Sequence, residues 1–483
     1  MKIKLLILAL LGAGFASAQN NTNSPYSSRG YGEIEPFVSV FSRSLGGATN
    51  GIRTNRTIAF GNPASVAGLT QVSFDFAFRG DYSEIYNSGA RKNGYNGNFN
   101  YFSLGFPVFR KPVIKADTSK VNKQSIYKEY KTIWSSAIGM TPFSNVNSSY
   151  YKIQDTSYGQ IGNYFLKSGG LNRVYFMNGV NITQNFSVGL NSSFIFGQIR
   201  SNEAFYIQDS GITRATFSDL NSQLTGFRFD LGFQGVRNGF ITRTTTQKGT
   251  DSGLVRVKTS VPLRFVYGAT FSNAGSLNYN VYHLVQNKSN YYAFGPIDTI
   301  VNESNIKGKS YLPSAFSAGF SFTFNNKWMI AADYSSELWA SMKKSLLVSD
   351  SFANSSQVSI GLAYRPDINI DQMNLTRPGG QRRYNANLEY RLGLRMNNTG
   401  YLFKDNAGVV SPLKEYGVSF GIGIPKLRDD WDGKKVLVKS LLNITGEYIH
   451  RGTTDNGMIA QNLYRLTIGF TISDIWFKQK KFF

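Results

Sequence analysis

The chain has 483 residues, a length that fits roughly three soluble domains or one large barrel. The sequence contains no Cys, and this absence excludes disulfides, zinc–thiolate sites, Cys nucleophiles and a lipid-modified Cys. A formal net charge of +23 suits a polyanionic partner such as nucleic acid, anionic lipid or lipopolysaccharide. The start of the chain decides between these partners, because it indicates the compartment.

The first residues have the pattern of a cleavable export signal. Two lysines precede an apolar stretch over 5–15, and small residues follow at 16–18. We therefore predict a signal peptide over 1–18 and a mature chain that begins at Gln19. The apolar stretch is shorter than the ~20 residues of a membrane-spanning helix, and the sequence predicts no helical span elsewhere.

Residues 19–70 do not alternate between apolar and polar side chains. They are rich in Ser, Asn, Gly and Arg. Such a segment is either disordered or folded inside a barrel. We predict an N-terminal hatch or plug, because a barrel of about fourteen strands has a lumen wide enough to need filling.

From residue 71 onward, large apolar side chains alternate with small or polar ones. In 463–473, for example, Leu466 and Ile468 fall on one side, and Thr467 and Gly469 fall on the other. A strand with lipid outside and an enclosed interior shows this pattern, whereas a soluble sandwich buries its large residues between two sheets. The 28 Tyr and 37 Phe suit aromatic girdles.

The sequence therefore predicts an all-β fold, a transmembrane antiparallel β-barrel of about 14 strands over 71–483. The predicted strands are 71–80, 97–106, 131–141, 171–182, 186–200, 223–235, 261–271, 313–324, 328–336, 356–366, 386–398, 414–424, 437–449 and 463–473.

The connections between these strands predict which end of the barrel faces the periplasm. Short turns at 183–185 and 325–327 are expected on the periplasmic side. Segments 142–170, 201–222 and 272–312 are long and polar, and we expect them as outer loops. Residues 277–286 form either another strand or part of the third outer loop.

The segment ahead of the barrel resembles a known family. Ser42-Arg43-Ser44-Leu45-Gly46-Gly47-Ala48, followed by Ile58-Ala59-Phe60-Gly61-Asn62-Pro63-Ala64-Ser65, is similar to the "GGA … NPA" hatch of the FadL-type long-chain fatty acid transporter family. Ser24-Pro25-Tyr26-Ser27 with Gly30-Tyr31-Gly32 resembles the start of a FadL-like branch common in Bacteroidota. Further similar motifs are Met140-Thr141-Pro142-Phe143-Ser144-Asn145-Val146-Asn147, Ala331-Ala332-Asp333-Tyr334 with Trp339, and Gly446-Glu447-Tyr448.

This resemblance implies a fourteen-stranded barrel with a hatch that takes up hydrophobic molecules. In the family, ligand binds in the lumen, the hatch shifts, and the molecule leaves sideways through the wall. The matching hatch residues are Asn62, Pro63 and Ala64, for which we prefer a structural turn role over ligand contact. Gly46 and Gly47 are expected to permit close backbone approach. The family's pocket residues match no motif in this chain.

Charged residues fall on the predicted lumen face. The simpler interpretation is that they pair with neighbouring strands and with the hatch, because unpaired charge in a confined lumen is costly. The alternative is that Arg391 or Arg395 binds the acid group of a ligand, for which the guanidinium fork is suited. The predicted lumen charges are Asp75, Arg79, Arg228, Asp230, Asp333, Glu389, Arg391, Arg395, Glu447 and Arg465.

Aromatic residues near strand ends are predicted to anchor the barrel at the membrane interfaces. The terminal Phe482-Phe483 is an aromatic end of the kind that barrel families usually have. The predicted girdle residues are Trp134, Trp328, Trp339, Tyr401, Trp431, Trp476 and Phe477.

The sequence does not favour an enzyme, and we predict no cofactor and no metal site. His283 and His450 are expected in loops and have no metal-ligand spacing around them. Gly417-Val418-Ser419-Phe420-Gly421 matches a nucleophile-elbow pattern but lies within an alternating strand. Gly308-Lys309-Ser310 lacks the earlier glycine of a phosphate loop.

These features predict a channel of the bacterial outer membrane for passive uptake of hydrophobic or amphipathic molecules such as long-chain fatty acids. The alternative is an interaction subunit or shuttle in outer-membrane protein secretion or surface attachment, without solute transport. Expected partners are outer-membrane lipid, lipopolysaccharide, a hydrophobic small-molecule ligand and, in the alternative, other outer-membrane or secreted proteins. An exported chain rarely meets nucleic acid, so none is expected; lysines that are simply solvated remain the other explanation of the charge.

Overall fold

The computed structural model describes residues 24–474 apart from Arg56, 117–125, 157–158, 209–213, 249–253, 289–297, 349–350, 367–387 and 430–434. The predicted signal peptide and the residues Trp431, Trp476, Phe477, Phe482 and Phe483 lie outside the described residues. None of the described helices is long and apolar enough to cross a membrane.

The described chain consists almost entirely of strands. Its one α-helix is the single turn α1 (Val40–Arg43), and 3₁₀ turns occur at Pro25–Ser28, Pro63–Gly68, Trp339–Ser341 and Asp455–Gly457. The strands are β1 (Glu33–Ile34), β2 (Val72–Tyr86), β3 (Arg91–Ala116), β4 (Ile126–Thr156), β5 (Gly159–Asn181), β6 (Phe186–Gln208), β7 (Arg214–Lys248), β8 (Leu254–Ser272), β9 (Gly275–Lys288), β10 (Asp298–Leu312), β11 (Ala315–Phe324), β12 (Trp328–Glu337), β13 (Ser355–Tyr364), β14 (Glu389–Lys404), β15 (Val410–Asp429), β16 (Lys435–Gly452) and β17 (Ala460–Asp474).

Each wall strand turns its large apolar residues outward. In β17, Leu466 is 50% exposed, whereas the neighbouring Thr467 is fully buried. In β14, Leu394 is 51% exposed and Arg395 is 7% exposed. Large residues outside and small or charged residues inside are the reverse of a soluble core and suit a surrounding bilayer.

The wall closes into a barrel of fourteen antiparallel crossings among the described residues, as the sequence predicts. β2 pairs with β3 on one side and with β17 on the other, which closes the ring. β8 and β9 form one crossing with a break at 273–274, because both pair with β7. β10 and β11 likewise form one crossing beside β9 and β8. Residues 277–286 therefore continue a crossing and do not add one.

The predicted outer loops 142–170, 201–222 and 272–312 are largely strand, so that prediction was wrong. β4 and β5 stay paired from Ser144 with Leu171 to Thr156 with Gly159. The expectation failed because these segments are rich in Ser, Asn and Tyr on both faces, so they lack the apolar–polar contrast that marks a lipid-facing strand. His283 in β9 and His450 in β16 are likewise in strands and not in loops.

The apolar belt is the band of the wall where large apolar residues such as Leu190 and Phe194 face outward. Six strands continue past this belt as one sheet, which we call the projecting sheet. It comprises 145–156 of β4, 159–170 of β5, 198–208 of β6, 214–227 of β7, and all of β9 and β10, paired in that order. A bilayer crossing needs ~9–11 residues, and β5 and β6 each have 23. Along β6 the outward residues change from Leu190 and Phe194 to Gln198 and Arg200, which marks where the wall leaves the apolar belt.

Residues 24–70, which we call the N-terminal segment, lie inside the ring of strands. They contact inward-facing residues on all sides, for example Ser187 on β6, Asp333 on β12 and Glu447 on β16. Wall glycines allow this approach. A Cβ atom at Gly393 would lie 2.0 Å from the backbone nitrogen of Gly46, and one at Gly189 would lie 2.3 Å from the carbonyl carbon of Pro63.

Two of the predicted girdle residues are not at the membrane interface, so that prediction was wrong for Trp339 and Tyr401. Trp339 is 6% exposed and packs with Phe143 and Leu312. Tyr401 is 8% exposed, and its hydroxyl donates to the carbonyl oxygen of Gly32. Both rings pack against Phe352, and Tyr401 also contacts the N-terminal segment, which the sequence pattern did not reveal. Trp134 and Trp328 are 40% and 44% exposed.

We expect Gly393→Val to destabilise the barrel by about 1–3 kcal/mol, because the added side chain would push against the backbone of Gly46. Gly446→Val is the matched control, since a Cβ there has no neighbour within 4 Å. The measurement is the temperature at which the purified barrel loses its compact, fast-migrating form in detergent gels. Equal transition temperatures for the two variants would show that the close packing is unimportant.

Candidate functional site: the charged lumen around the N-terminal segment

A cavity of about 290 Å³ lies between the N-terminal segment and the wall. Most of its lining residues are polar or charged, among them five arginines and several carboxylates, and apolar side chains such as Phe37, Phe143 and Trp339 line it as well. The charged lining residues are Glu33, Glu35, Arg173, Arg228, Asp230, Asp333, Glu337, Arg395, Glu415, Arg451 and Arg465. Such a lining suits ions, water or the polar head group of a ligand, and it offers apolar contacts beside them.

Glu35 of the N-terminal segment is the centre of one ion-pair cluster. Its carboxylate lies 2.9 Å from Arg79 Nη1 and 3.8 Å from Arg43 Nη2. Arg79 also pairs with Asp81 at 3.2 Å, and Asp81 pairs with Arg465 at 2.9 Å. Burial alone would raise the pKa of Glu35, but Arg79, Arg465 and Arg43 more than offset that effect and hold the pKa well below its usual range.

A second cluster joins the N-terminal segment to β14, β15 and β16. Glu33 pairs with Arg451, which also lies 3.3 Å from Glu415. Glu415 in turn lies 3.0 Å from Arg395, and Arg395 lies 3.8 Å from Glu447. The predicted ligand residue Arg395 therefore lines the cavity but already faces two carboxylates.

The other predicted ligand residue, Arg391, is 1% exposed and is not among the residues that line this cavity. Its Nε donates to Glu389 at 2.9 Å, and its Nη1 donates to Asn443 at 2.8 Å. Its guanidinium carbon lies 4.3 Å from the centre of the Phe41 ring. The structure thus places Arg391 against helix α1 of the N-terminal segment, apart from Arg395.

The predicted hatch residues lie at two points where the N-terminal segment touches the wall. Gly46 and Gly47 have φ of +70° and +98°, which favours glycine, and the Gly46 amide donates to Ser419 Oγ at 3.2 Å. Asn62 Oδ1 accepts a hydrogen bond from the Ala64 amide at 3.0 Å and caps the turn Pro63–Gly68. Asn62 Nδ2 also donates to the carbonyl oxygen of Phe233 at 3.0 Å.

Two further anchors hold the segment on the side of β5, β6, β7 and β12. Asp333 Oδ2 accepts the backbone amides of Thr49 and Asn50, each at 2.7 Å. Arg53 donates to Ser187 at 2.6 Å and to Asn181 at 2.6 Å. Burial and the nearby Arg264 lower the pKa of Arg53 to about 10, so the side chain still carries its charge at neutral pH.

Arg173 is the buried cation that the sequence reasoning missed. It is 7% exposed, lines the cavity, and lies between the rings of Phe37 and Phe143 at 4.3 and 4.9 Å. It forms no ion pair within 4 Å among the described residues, although the negative charges of Asp230 and Glu337 act on it from a longer distance. The sequence did contain a signal for an inward-facing Arg173. Leu171, Arg173 and Tyr175 are spaced two residues apart in β5, so all three share the face that points inward.

Comparison with solved structures shows the same fold in outer-membrane channels at low sequence identity. The Ralstonia pickettii toluene transporter TbuX matches with a TM-score of 0.52 and 12% identity over 91% of this chain and 99% of that one. The P. putida toluene transporter TodX matches with a TM-score of 0.51 and 12% identity over 91% and 100%. A Pseudomonas aeruginosa FadL homologue matches with a TM-score of 0.48 and 11% identity over 91% and 99%.

The likenesses to TbuX and TodX show that this chain shares their fold, and the predicted FadL-type family and its Bacteroidota-like branch stay predictions. No curated protein sequence matches the chain. A family model described as BamG matches residues 1–483. Because that match spans the full sequence, the chain belongs to the BamG family.

Proposed function

We propose that this chain is a plugged barrel of the bacterial outer membrane that works as an interaction subunit. In this proposal the N-terminal segment closes the lumen, and the projecting sheet binds a partner protein at the cell surface. The single observation that carries the proposal is that large apolar side chains are exposed on both faces of strands that extend beyond the lipid-facing part of the wall. The alternation of the wall supports the membrane placement, and lipid or lipopolysaccharide is the expected contact at the rims.

The projecting sheet exposes large side chains that no bilayer would cover. They are between 38% and 55% exposed, although the nearby outward residues Gln198 and Arg200 mark an aqueous setting. Clustered apolar side chains on a wetted surface are typical of a protein interface. The exposed apolar residues are Tyr150, Tyr151, Ile153, Phe205, Tyr282 and Ile300.

The lumen supports the same proposal. Arg79, Arg395, Arg451 and Arg465 each lie within 4 Å of a carboxylate, and Glu33 and Glu35 from the N-terminal segment take part in those pairs. Moving the segment would break several buried pairs at once, and each broken pair costs ~3–5 kcal/mol. A segment held in this way acts as a fixed plug.

We expect Tyr151→Ser combined with Tyr282→Ser to weaken partner binding by about 2 kcal/mol or more, because aromatic anchors dominate protein interfaces. The measurement is native mass spectrometry of the full chain, purified gently from its own outer membrane, with the amount of co-purifying protein compared between variants. Val409→Ser with Val410→Ser is the matched control, since these residues are 57% and 55% exposed but lie off the projecting sheet. A chain that carries only lipid, or a partner retained equally by both variants, would contradict the proposal.

Closure of the lumen gives a separate test. Deleting 24–70 should convert a barrel that conducts almost no ions in planar bilayers into an open pore, because this segment fills the ring. Asp333→Ala with Arg53→Ala should give intermittent conductance, since these side chains anchor the segment. Arg91→Ala is the control: its pair with Glu84 is exposed and outside the lumen. Large conductance of the unaltered chain would refute the plug.

A second candidate function is a channel for hydrophobic or amphipathic molecules such as long-chain fatty acids. Arg173 favours it specifically, because this buried cation is in no close ion pair with Asp230 or Glu337 and could bind the acid group of a ligand. An apolar cluster that includes Phe143, Leu171 and Trp339 lies beside it. The fold likeness to toluene transporters agrees with this candidate.

If the chain takes up fatty acids, Arg173→Gln should reduce their binding at least tenfold, because the acid group would lose the cation that it pairs with. Arg391→Gln should have little effect on binding, since Arg391 already pairs with Glu389, and Arg395→Gln tests the predicted cavity residue. The measurement is binding of radiolabelled palmitate to the purified barrel. Failure to bind palmitate would remove this candidate and leave the interaction subunit.

A further inference from the structure

One edge of the projecting sheet lacks a neighbouring strand. β3 and β4 pair only from Phe102 with Met140 toward the tight-turn end of the barrel. Beyond that point β4 continues to Thr156 and pairs with β5. β1 covers only Ser144 and Asn145 of the opposite edge. Among the described residues, no strand pairs with 149–155 on that side.

The backbone groups that face this edge can be assigned from two hydrogen bonds. The Phe143 carbonyl accepts the Glu35 amide at 3.0 Å, and the Asn147 amide donates to Ser27 Oγ at 3.1 Å. Both partners belong to the N-terminal segment, so odd-numbered groups of β4 point toward the edge. Because the direction alternates along a strand, the N–H and C=O groups of Ser149, Tyr151, Ile153 and Asp155 point the same way.

The start of this edge already accepts a strand. β1 lies antiparallel to it, with Glu33 opposite Asn145 and Ile34 opposite Ser144. The free stretch 149–155 continues that same ladder. Its pairing with β5 is regular after Ser144, so the edge stays straight and its hydrogen-bonding groups stay aligned.

The opposite edge of the sheet, β10, is protected in the usual ways. Its register is broken between Thr299 and Val301 and again between Glu303 and Ile306, and Asn305 has a φ of +62°. Glu303 and Lys307 are exposed on it. Bulges and charges discourage strand addition. The β4 edge carries the exposed charges Lys152 and Asp155 but has no bulge along 149–155, and this absence distinguishes it from β10.

The side chains next to the free edge would contact an added strand on both faces. Tyr150 stacks on Phe165 at 5.0 Å on one face, and Tyr151 stacks on Tyr206 at 6.1 Å on the other. Tyr150, Tyr151 and Ile153 are about half exposed. A strand laid here would therefore place consecutive side chains against aromatic rings on alternate faces.

We infer that residues 149–155 of β4 bind a partner protein by strand addition. The occupant is an extended segment of that partner, with apolar side chains that meet the tyrosines on both faces and a main chain that completes the ladder begun by β1. This inference rests on the proposed function, since it names the part of the projecting sheet that the partner occupies.

The test uses the full chain in its own outer membrane with a photo-reactive side chain at Tyr151 or, as the control edge, at Ile300. We expect Tyr151 products to map by mass spectrometry to one continuous segment of one protein, with at least tenfold lower yield at Ile300. Ile153→Pro should lower the Tyr151 yield at least tenfold, because proline removes an edge-facing N–H and leaves the bonds to β5. Ile153→Ala keeps that N–H and should retain most of the yield.

Equal yields at the two edges, products that contain only lipid or this chain's own residues 19–23, or no effect of Ile153→Pro would overturn the inference. A misfolded proline variant would be recognised by its loss of the compact form in detergent gels, and the comparison of Tyr151 with Ile300 in the unaltered chain then decides. If a partner co-purifies but fails these tests, strand addition is wrong and the proposed function stands. If no partner co-purifies, the proposed function itself fails.

Discussion

Charge in an enclosed lumen is stable only when it is paired, and this constraint fixes how the barrel and the N-terminal segment fit. An ion taken out of water loses several kcal/mol of solvation, and a good counter-charge restores most of it. Here Glu33 and Glu35 come from the segment, and their partners Arg451 and Arg79 come from the wall. Without the N-terminal segment, Arg451 and Arg79 of the wall would lose these carboxylate partners, and without the wall Glu33 and Glu35 would lose these arginines. The segment and the wall therefore stabilise each other.

Backbone packing reinforces this arrangement. Gly393 and Gly189 let the turns of the segment approach the strands closely, and the anchors at Asp333 and Arg53 fix its register. A ligand that displaced the segment would have to compensate for these contacts and for the ion pairs together. That requirement favours a permanent plug. Arg173 is the exception, because it lies between aromatic rings and its nearest carboxylates, Asp230 and Glu337, act on it without a close ion pair.

The wall could be predicted from the sequence because lipid imposes a period of two on every crossing. Leu466 and Thr467 show that rule clearly, and all fourteen predicted strands lie on crossings of the wall. The alternation of apolar and polar residues disappears where the strands extend beyond the lipid. Tyr150 and Tyr151 are exposed on opposite faces of the same strand, so nothing in their pattern distinguishes a projecting strand from a loop.

Side-chain partners could not be predicted, since they depend on which strands the segment meets inside the ring. Alternation placed Arg391 and Arg395 inward, but only the fold shows that one contacts Phe41 and the other joins Glu415. The girdle prediction for Trp339 and Tyr401 was wrong for a related reason. Their positions near strand ends resemble a girdle, yet both rings are buried.

The N-terminal segment contacts strand β4, which is also part of the projecting sheet, so the proposed closure of the lumen and the proposed docking involve the same strand. Ser27 and Glu35 bond to β4 from inside the ring, and the free edge begins four residues beyond Asn145. A long unprotected edge exposes hydrogen-bonding groups that would otherwise promote aggregation. Such an edge is tolerable where another chain covers it. Because the N-terminal segment bonds to β4 at the start of that edge, the contacts proposed to close the lumen would also keep the proposed docking strand straight.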